Sequence, residues 1–213
     1  MVSDADRDAE TSIRELLAVE RPDDGMLGEE GSNTDARSGR RWVVDPLDGT
    51  TNYLYRFPAW AVSIALEDAE GAAVGVVHDP LRGETFTAIR GAGARCDGEA
   101  ISVSGAASLP ASLIGTGFGY DTERRAEQAR VLLDVLPAVR DVRRAGAAAL
   151  DLCMVACGRL DGYYERGLHA WDWAAGSLIA REAGATVRPL AGEPFGLLVA
   201  SPAIAGDLAA LVE

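Results

Sequence analysis

Apolar and polar positions change their period along the chain. Between Asp4 and Glu20, Ile13, Leu16 and Leu17 fall on one side of a helical repeat and charges fill the rest, which predicts a helix. Ser3 followed by Asp6 has the form of a capping box at its start. The next stretch, "RPDDGMLGEEGSNTDARSGR", is polar and Gly-rich and reads as loop, with a short buried strand at Met26 and Leu27. "RRWVVD" then reads as a strand, and "AWAVSIALED", "GAAVGVVHDP" and "GETFTAIRG" follow with turn signals between them, an antiparallel meander. "GAGARCDGEAISVS" adds shorter strand pieces.

The second half alternates. "SLIGTGFGY" reads as a strand, "TERRAEQARVLLDVLP" as a helix stopped by Pro137, and "VRDVRRAG" as a short strand. "AAALDLCMVACG" is a helix closed by Gly158, "RLDGYYER" a strand, and "AWDWAAGSLIAREAGA" a helix with Gly184 at its end. A strand at Leu197–Ala200 and a helix from Pro202 to Leu211 close the chain. A block of strands followed by strand–helix alternation predicts layered sheets and helices of the α/β (α+β) type. We expect a single domain over 1–213, with an antiparallel-sheet half to about residue 110 and an α/β half after it.

Composition narrows the function. The chain has 213 residues, a net charge of −13 and no lysine, all its basic side chains besides two histidines being arginine. That balance argues against binding a nucleic-acid backbone, which needs basic stripes. No apolar run reaches the ~18–20 residues of a membrane span, and the acidic stretch after Met1 has no leader pattern, so the cytoplasm is expected. Three cysteines (Cys96, Cys153 and Cys157) form no CxxC pair and are expected as reduced thiols. With two histidines a His-rich zinc site is not expected, so a metal here would be bound by oxygen.

The stretch "WVVDPLDGTTNY" carries the candidate chemistry. Pro46 favours extended backbone at Asp45, so the strand is expected to end there and the chain to turn, bringing Asp45, the Leu47 carbonyl and Asp48 together. Gly49 gives backbone freedom, and Thr50-Thr51-Asn52 supplies hydroxyls and N–H groups as at a helix start, which binds phosphate. The stretch fits a Mg²⁺–phosphate site; from spacing alone, a surface Asp-Pro turn followed by a helix cap is the plainer reading. Glu29 and Glu30 of "LGEEG" read either as site acids or as a solvated loop. Asp172, between Trp171 and Trp173, reads either as an acid favouring a helix dipole or as a partly desolvated carboxylate in need of a cation.

The segments "GEE", "DPLDGTTN" and "WDWAAGSLIAREAG", in this order, resemble the inositol monophosphatase family of Mg²⁺-dependent, lithium-sensitive phosphatases, over essentially the whole chain. The resemblance implies an αβαβα sandwich and two to three Mg²⁺ ions. Glu29, Asp45 and the Leu47 carbonyl would hold the first ion, Asp45, Asp48 and Asp172 the second, and a weaker third would lie near Glu29. Gly49 and Thr50 would bind phosphate through backbone N–H groups. The Thr50 hydroxyl with Asp6 would orient and deprotonate the attacking water; Asp6 otherwise reads as a first-turn helix acid. Glu165 of "YYERGLHAWD" matches the acid that hydrogen-bonds a sugar-alcohol hydroxyl, against a solvated strand-end charge as the plain alternative. Gly146, Ala147 and Ala148 match the segment whose backbone faces the substrate, with Ala147 standing where threonine is common. Asp48 and Asp172 would also border the substrate.

The implied activity is hydrolysis of inositol 1-phosphate or a similar polyol phosphate, by a homodimer. Thr51 stands where phosphatases of phosphoadenosine phosphate tend to carry lysine. Histidinol phosphate and fructose 1,6-bisphosphate stay open as substrates, and so does a catalytically impaired metal- or phosphate-binding protein. Family members usually carry an extra helix and loop before the segment matching "VSDADRDAE". We expect either a start upstream of Met1 or loss of that element, which would leave the apolar face of the first helix uncovered.

Overall fold

The computed structural model describes residues 3–213. Helix α1 (Asp4–Glu20) begins with the expected capping box: Ser3 caps the Asp6 N–H, and the Ser3 N–H donates to Asp6 Oδ2 at 2.9 Å. It presents an unusual face inward. Its buried residues are Asp6 and Glu10, while Leu16 and Val19 are 63% and 76% exposed.

Strands β1 (Gly25–Gly28) and β2 (Arg41–Asp48) pair in parallel, and β3 (Ala61–Asp68), β4 (Gly71–Asp79), β5 (Glu84–Ile89), β6 (Ala94–Cys96) and β7 (Glu99–Ala100) extend the sheet as an antiparallel meander in sequence order. The expected end of β2 at Asp45 is corrected. The strand runs through Pro46 to Asp48, with a register shift against β3 between Asp45 and Asp48. Such a bulge admits a proline and re-aims side chains, so both aspartates are placed without leaving the sheet. Helix α2 (Thr50–Tyr55) follows directly.

The second sheet has the order β11-β12-β10-β8-β9. It comprises β8 (Leu113–Thr116), β9 (Asp141–Arg143), β10 (Gly162–Arg166), β11 (Thr186–Leu190) and β12 (Gly196–Ala200). Between them run α3 (Thr122–Ala138), α4 (Ala148–Ala156) and α5 (Ala170–Glu182), and α6 (Pro202–Val212) follows β12. Pro137 does not stop α3, which includes it and ends one residue later; a proline so near the C-terminus forfeits only one intrahelical bond. β8 is shorter than "SLIGTGFGY" because Gly117–Tyr120 turns away from the sheet. β11 has no counterpart in the sequence reading. Its Pro189 is admitted because β11 is an edge strand.

Helices α4 and α5 pack on each other, α5 lies along β3–β5, and α4 reaches β10, giving the layers of an αβαβα sandwich with α3 and α6 beyond the second sheet. Their core joins Val43, Val77, Phe86, Leu152, Leu178, Ile179, Tyr163 and Val199, all at most 1% exposed. Two glycines permit the close approach: a Cβ on Gly75 would lie 2.9 Å from the Ala175 carbonyl oxygen, and one on Gly176 2.8 Å from Leu152 Cβ. Ile114, Val135, Leu198, Ile204 and Leu208 form a second core under α3 and α6. Each such aliphatic side chain contributes about 1.5–3 kcal/mol by leaving water. The three cysteines are free, and no helix among the described residues is long and apolar enough to cross a membrane.

Candidate active site

The bulged end of β2, the start of α2 and the starts of α4 and α5 meet at one cavity of about 510 Å³. Glu29, Asp45, Leu47, Asp48, Gly49, Thr50, Glu165 and Asp172 line it, with Gly146 and Ala148 on the α4 side. Ala147 does not line it; its side chain is fully buried, 3.3 Å from where a Gly49 Cβ would project. Asp6 stands behind Thr50, outside the lining.

Each central aspartate has one oxygen held by the backbone. Asp45 Oδ1 accepts from the Leu47 N–H at 3.0 Å, Asp48 Oδ2 from the Ala149 N–H at 2.6 Å, and Asp172 Oδ2 from the His169 N–H at 2.6 Å. The last two bonds tie the acids to the first turns of α4 and α5, where a negative charge also suits the helix dipole. The Glu29 and Asp45 carboxyl groups line the cavity together, close enough for each to perturb the other's proton affinity. Among the described residues none of these four acids has an arginine ion-pair partner.

Burial without cations shows in their proton affinity. Desolvation raises Glu29 to about 7, reinforced by the charges of Asp172, Glu30 and Asp6. Desolvation likewise raises Asp172 to about 6. Asp45 and Asp48 are pushed well above the carboxylate range by burial and then by neighbouring carboxylates, Asp48 for Asp45 and Asp172 for Asp48. Glu165 rises to about 7 through burial, although Tyr163 donates its hydroxyl proton to it. Among the described residues no three His, Cys, Asp or Glu side chains converge into a closed cation cage. The donor set nonetheless fits a hard divalent cation: oxygens only, mutually repelling, each aspartate with a second oxygen uncommitted by these backbone bonds.

Thr50 is fixed from two sides. Its Oγ1 lies 2.9 Å from Asp6 Oδ1 and 3.2 Å from the Leu47 carbonyl oxygen. The turn from β2 into α2 depends on Gly49, whose φ is +95° and whose Cβ would lie 2.9 Å from the Ala59 carbonyl oxygen. Asn52 closes the far side. Its Nδ2 donates to the Ala59 and Ala145 carbonyls at 2.7 and 2.8 Å, joining α2 to the Gly146 turn.

Several site residues carried no signal in the linear pattern. Arg124 and Arg144 line the cavity and bring positive charge to its outer part. His169 stacks on Trp171 with ring centroids 4.9 Å apart and forms a flat wall beside Asp172. Glu10 is 2% exposed and holds the backbone after Glu29. Only Glu10 had a readable cue, its i, i+4 spacing from Asp6 on α1.

Comparison with known proteins identifies the family and the fold. A family model described as the inositol monophosphatase family matches residues 1–212. The inositol-1-monophosphatase SuhB of Mycobacterium tuberculosis is 46% identical over 100% of this chain and 78% of its own length. The Nus factor SuhB of Xylella fastidiosa is 46% identical over 87% of this chain and 67% of its own length. The solved SuhB of Bartonella henselae superposes with a TM-score of 0.94 at 39% identity, covering 100% of this chain and 85% of that one. On sequence and fold, the chain belongs to the inositol monophosphatase family.

Proposed function

We propose that the protein is a Mg²⁺-dependent phosphomonoesterase acting on inositol 1-phosphate or a closely similar polyol phosphate. The observation that carries this reading is the cavity itself: four carboxyl groups without arginine partners, Asp45 and Asp48 buried and Glu29 and Asp172 half-buried, share its lining with Thr50 and Glu165. Glu29, Asp45, Asp48 and Asp172, with the Leu47 carbonyl, would hold two Mg²⁺ ions, and a third would lie near Glu29. When bound, Mg²⁺ supplies positive charge to the phosphate and lowers the pKa of water.

The chain's own groups then divide the work. Asp6 accepts from the Thr50 hydroxyl, so Thr50 Oγ1 can turn its lone pairs to the attacking water and pass a proton toward Asp6. Gly49 and Thr50 present backbone N–H groups to the phosphate at the start of α2. Glu165, steadied by Tyr163, accepts from a hydroxyl of the leaving polyol, and the Gly146 and Ala148 backbone borders the same group. Arg124 and Arg144 favour entry of an anion into an otherwise acidic cleft.

The name borne by the Xylella relative, Nus factor SuhB, supports a second reading in which the chain acts without catalysis. The acids and threonine of the site are all present here, which favours catalysis. The test is phosphate release from inositol 1-phosphate, histidinol phosphate, fructose 1,6-bisphosphate and phosphoadenosine phosphate, with Asp172→Asn as control. Turnover highest on inositol 1-phosphate and lost in the control supports the reading; a different best substrate corrects the substrate, and no turnover on any favours the second reading. By family habit we also propose a cytoplasmic homodimer.

A further inference from the structure

Glu10 is a buried acid that the reaction outlined above does not use. It lies one helical turn after Asp6 on the inward face of α1, 2% exposed, and its two oxygens are both engaged. Oε2 accepts from the Glu30 N–H at 2.9 Å and Oε1 from the Ser32 N–H at 2.9 Å. These amides flank Gly31, whose φ of +99° makes the tight turn after Glu29. On the other side, the Glu29 N–H donates to the Val44 carbonyl at 3.2 Å, continuing the β1–β2 ladder. The backbone at Glu29 is therefore pinned before by the sheet and after by one carboxylate.

The sequence makes room for that carboxylate. A Cβ on Gly28 would lie 2.3 Å from Glu10 Oε2 and 2.6 Å from its Cδ, so any side chain there would evict it. A buried carboxylate taken up by two backbone amides is costly to disturb, because both the charge and the two N–H groups lose their partners. The same helix face carries Asp6, bonded to Thr50. One rigid helix thus sets two separate parts of the site, through acids four residues apart.

We propose that Glu10 is a positioning residue, holding the Glu30–Ser32 turn so that the Glu29 carboxylate meets Asp45, and that Gly28 is glycine to seat it. This rests on the reading of Glu29 as a Mg²⁺ ligand. Supports one step behind a ligand typically change metal affinity by about 10–100-fold when removed.

The experiment compares wild type with Glu10→Gln and Gly28→Ala, using the exposed Glu20→Gln as control. In metal-free protein, hydrogen exchange at the Glu30 and Ser32 amides should speed up by about tenfold or more in both variants. Calorimetric titration should show Mg²⁺ binding weakened by about tenfold, with turnover recovering as Mg²⁺ is raised. Glu10→Gln keeps one acceptor oxygen and the side-chain volume; should it fail to fold, Gly28→Ala carries the same readouts with Glu10 intact in sequence. Unchanged exchange at both amides, or a lowered unfolding midpoint with unchanged Mg²⁺ affinity, would overturn the proposal. If wild type itself binds no Mg²⁺, the underlying metal reading falls, and the exchange result still decides whether Glu10 holds the turn.

Discussion

The hydroxyl of Thr50 and the carboxylate of Asp6 are joined at 2.9 Å across forty-four residues of chain. The bond links the first helix to the start of α2, and both partners are buried, at 6% and 0% exposure. Ser3 occupies the second carboxylate oxygen, so Asp6 is held in one orientation with Thr50 on the other. Asp6→Asn keeps the shape and loses the charge. We expect kcat to fall by about 10²-fold or more, with KM changed little, the size typical of a lost proton acceptor. Thr50→Ala should cost a similar factor and the double variant little more, since the two act as a unit. Steady-state kinetics on the three variants check this.

Stability should depend on pH through the same carboxyl groups. Glu29 and Glu165 are raised to about 7 and Asp172 to about 6, all above their unfolded values. A carboxyl group with a raised folded pKa contributes stability that is fully present below its unfolded pKa and is lost as pH rises through the folded one. In metal-free protein this contribution is therefore lost between about pH 4 and pH 7. Added Mg²⁺ should restore it at the alkaline end and bind more tightly there, because binding expels protons. Thermal unfolding with chelator and with Mg²⁺, across that window, should show the two midpoints diverging as pH rises.

Gly49→Ala tests the turn between Asp48 and Thr50. The residue has φ +95° and its Cβ would meet the Ala59 carbonyl at 2.9 Å. We expect a loss of about 1–3 kcal/mol in stability, together with reduced turnover as Thr50 shifts. Gly31→Ala, also at positive φ but with open space around the Cβ, should cost less. Denaturant unfolding separates the two.

Glu165→Gln tests substrate recognition. Its carboxylate lies against Gly117, where a Cβ would collide with it, and Tyr163 fixes it from below. Losing a charged acceptor for a polyol hydroxyl should lower kcat/KM for inositol 1-phosphate about tenfold relative to p-nitrophenyl phosphate, which has no such hydroxyl. An unchanged ratio would remove Glu165 from the substrate contacts.

What was legible in the sequence follows from how local each feature is. The helices α4, α5 and α6 and the meander showed because their apolar periods, and for α4 and α5 the glycines that follow them, are local in sequence. The cluster from Asp45 to Thr50 showed because its side chains are adjacent in sequence, although continuation of β2 past Pro46 depended on a bulge against β3. The roles of Glu10, hinted only by its spacing from Asp6, and of the Asn52 side chain were not legible because their partners are 20 and 93 residues away. In α1 the apolar spacing did not show which face turns inward. Its acids Asp6 and Glu10 are buried, where they hold Thr50 and the Glu30–Ser32 turn, while Leu16 and Val19 stand exposed.

The most direct measurement is phosphate release from inositol 1-phosphate by metal-stripped protein as Mg²⁺ is added back, with Asp45→Asn alongside. The account predicts no turnover without Mg²⁺, saturable activation as it is added, and loss of activation in the variant. Turnover that is indifferent to Mg²⁺, or equal in Asp45→Asn, would contradict it.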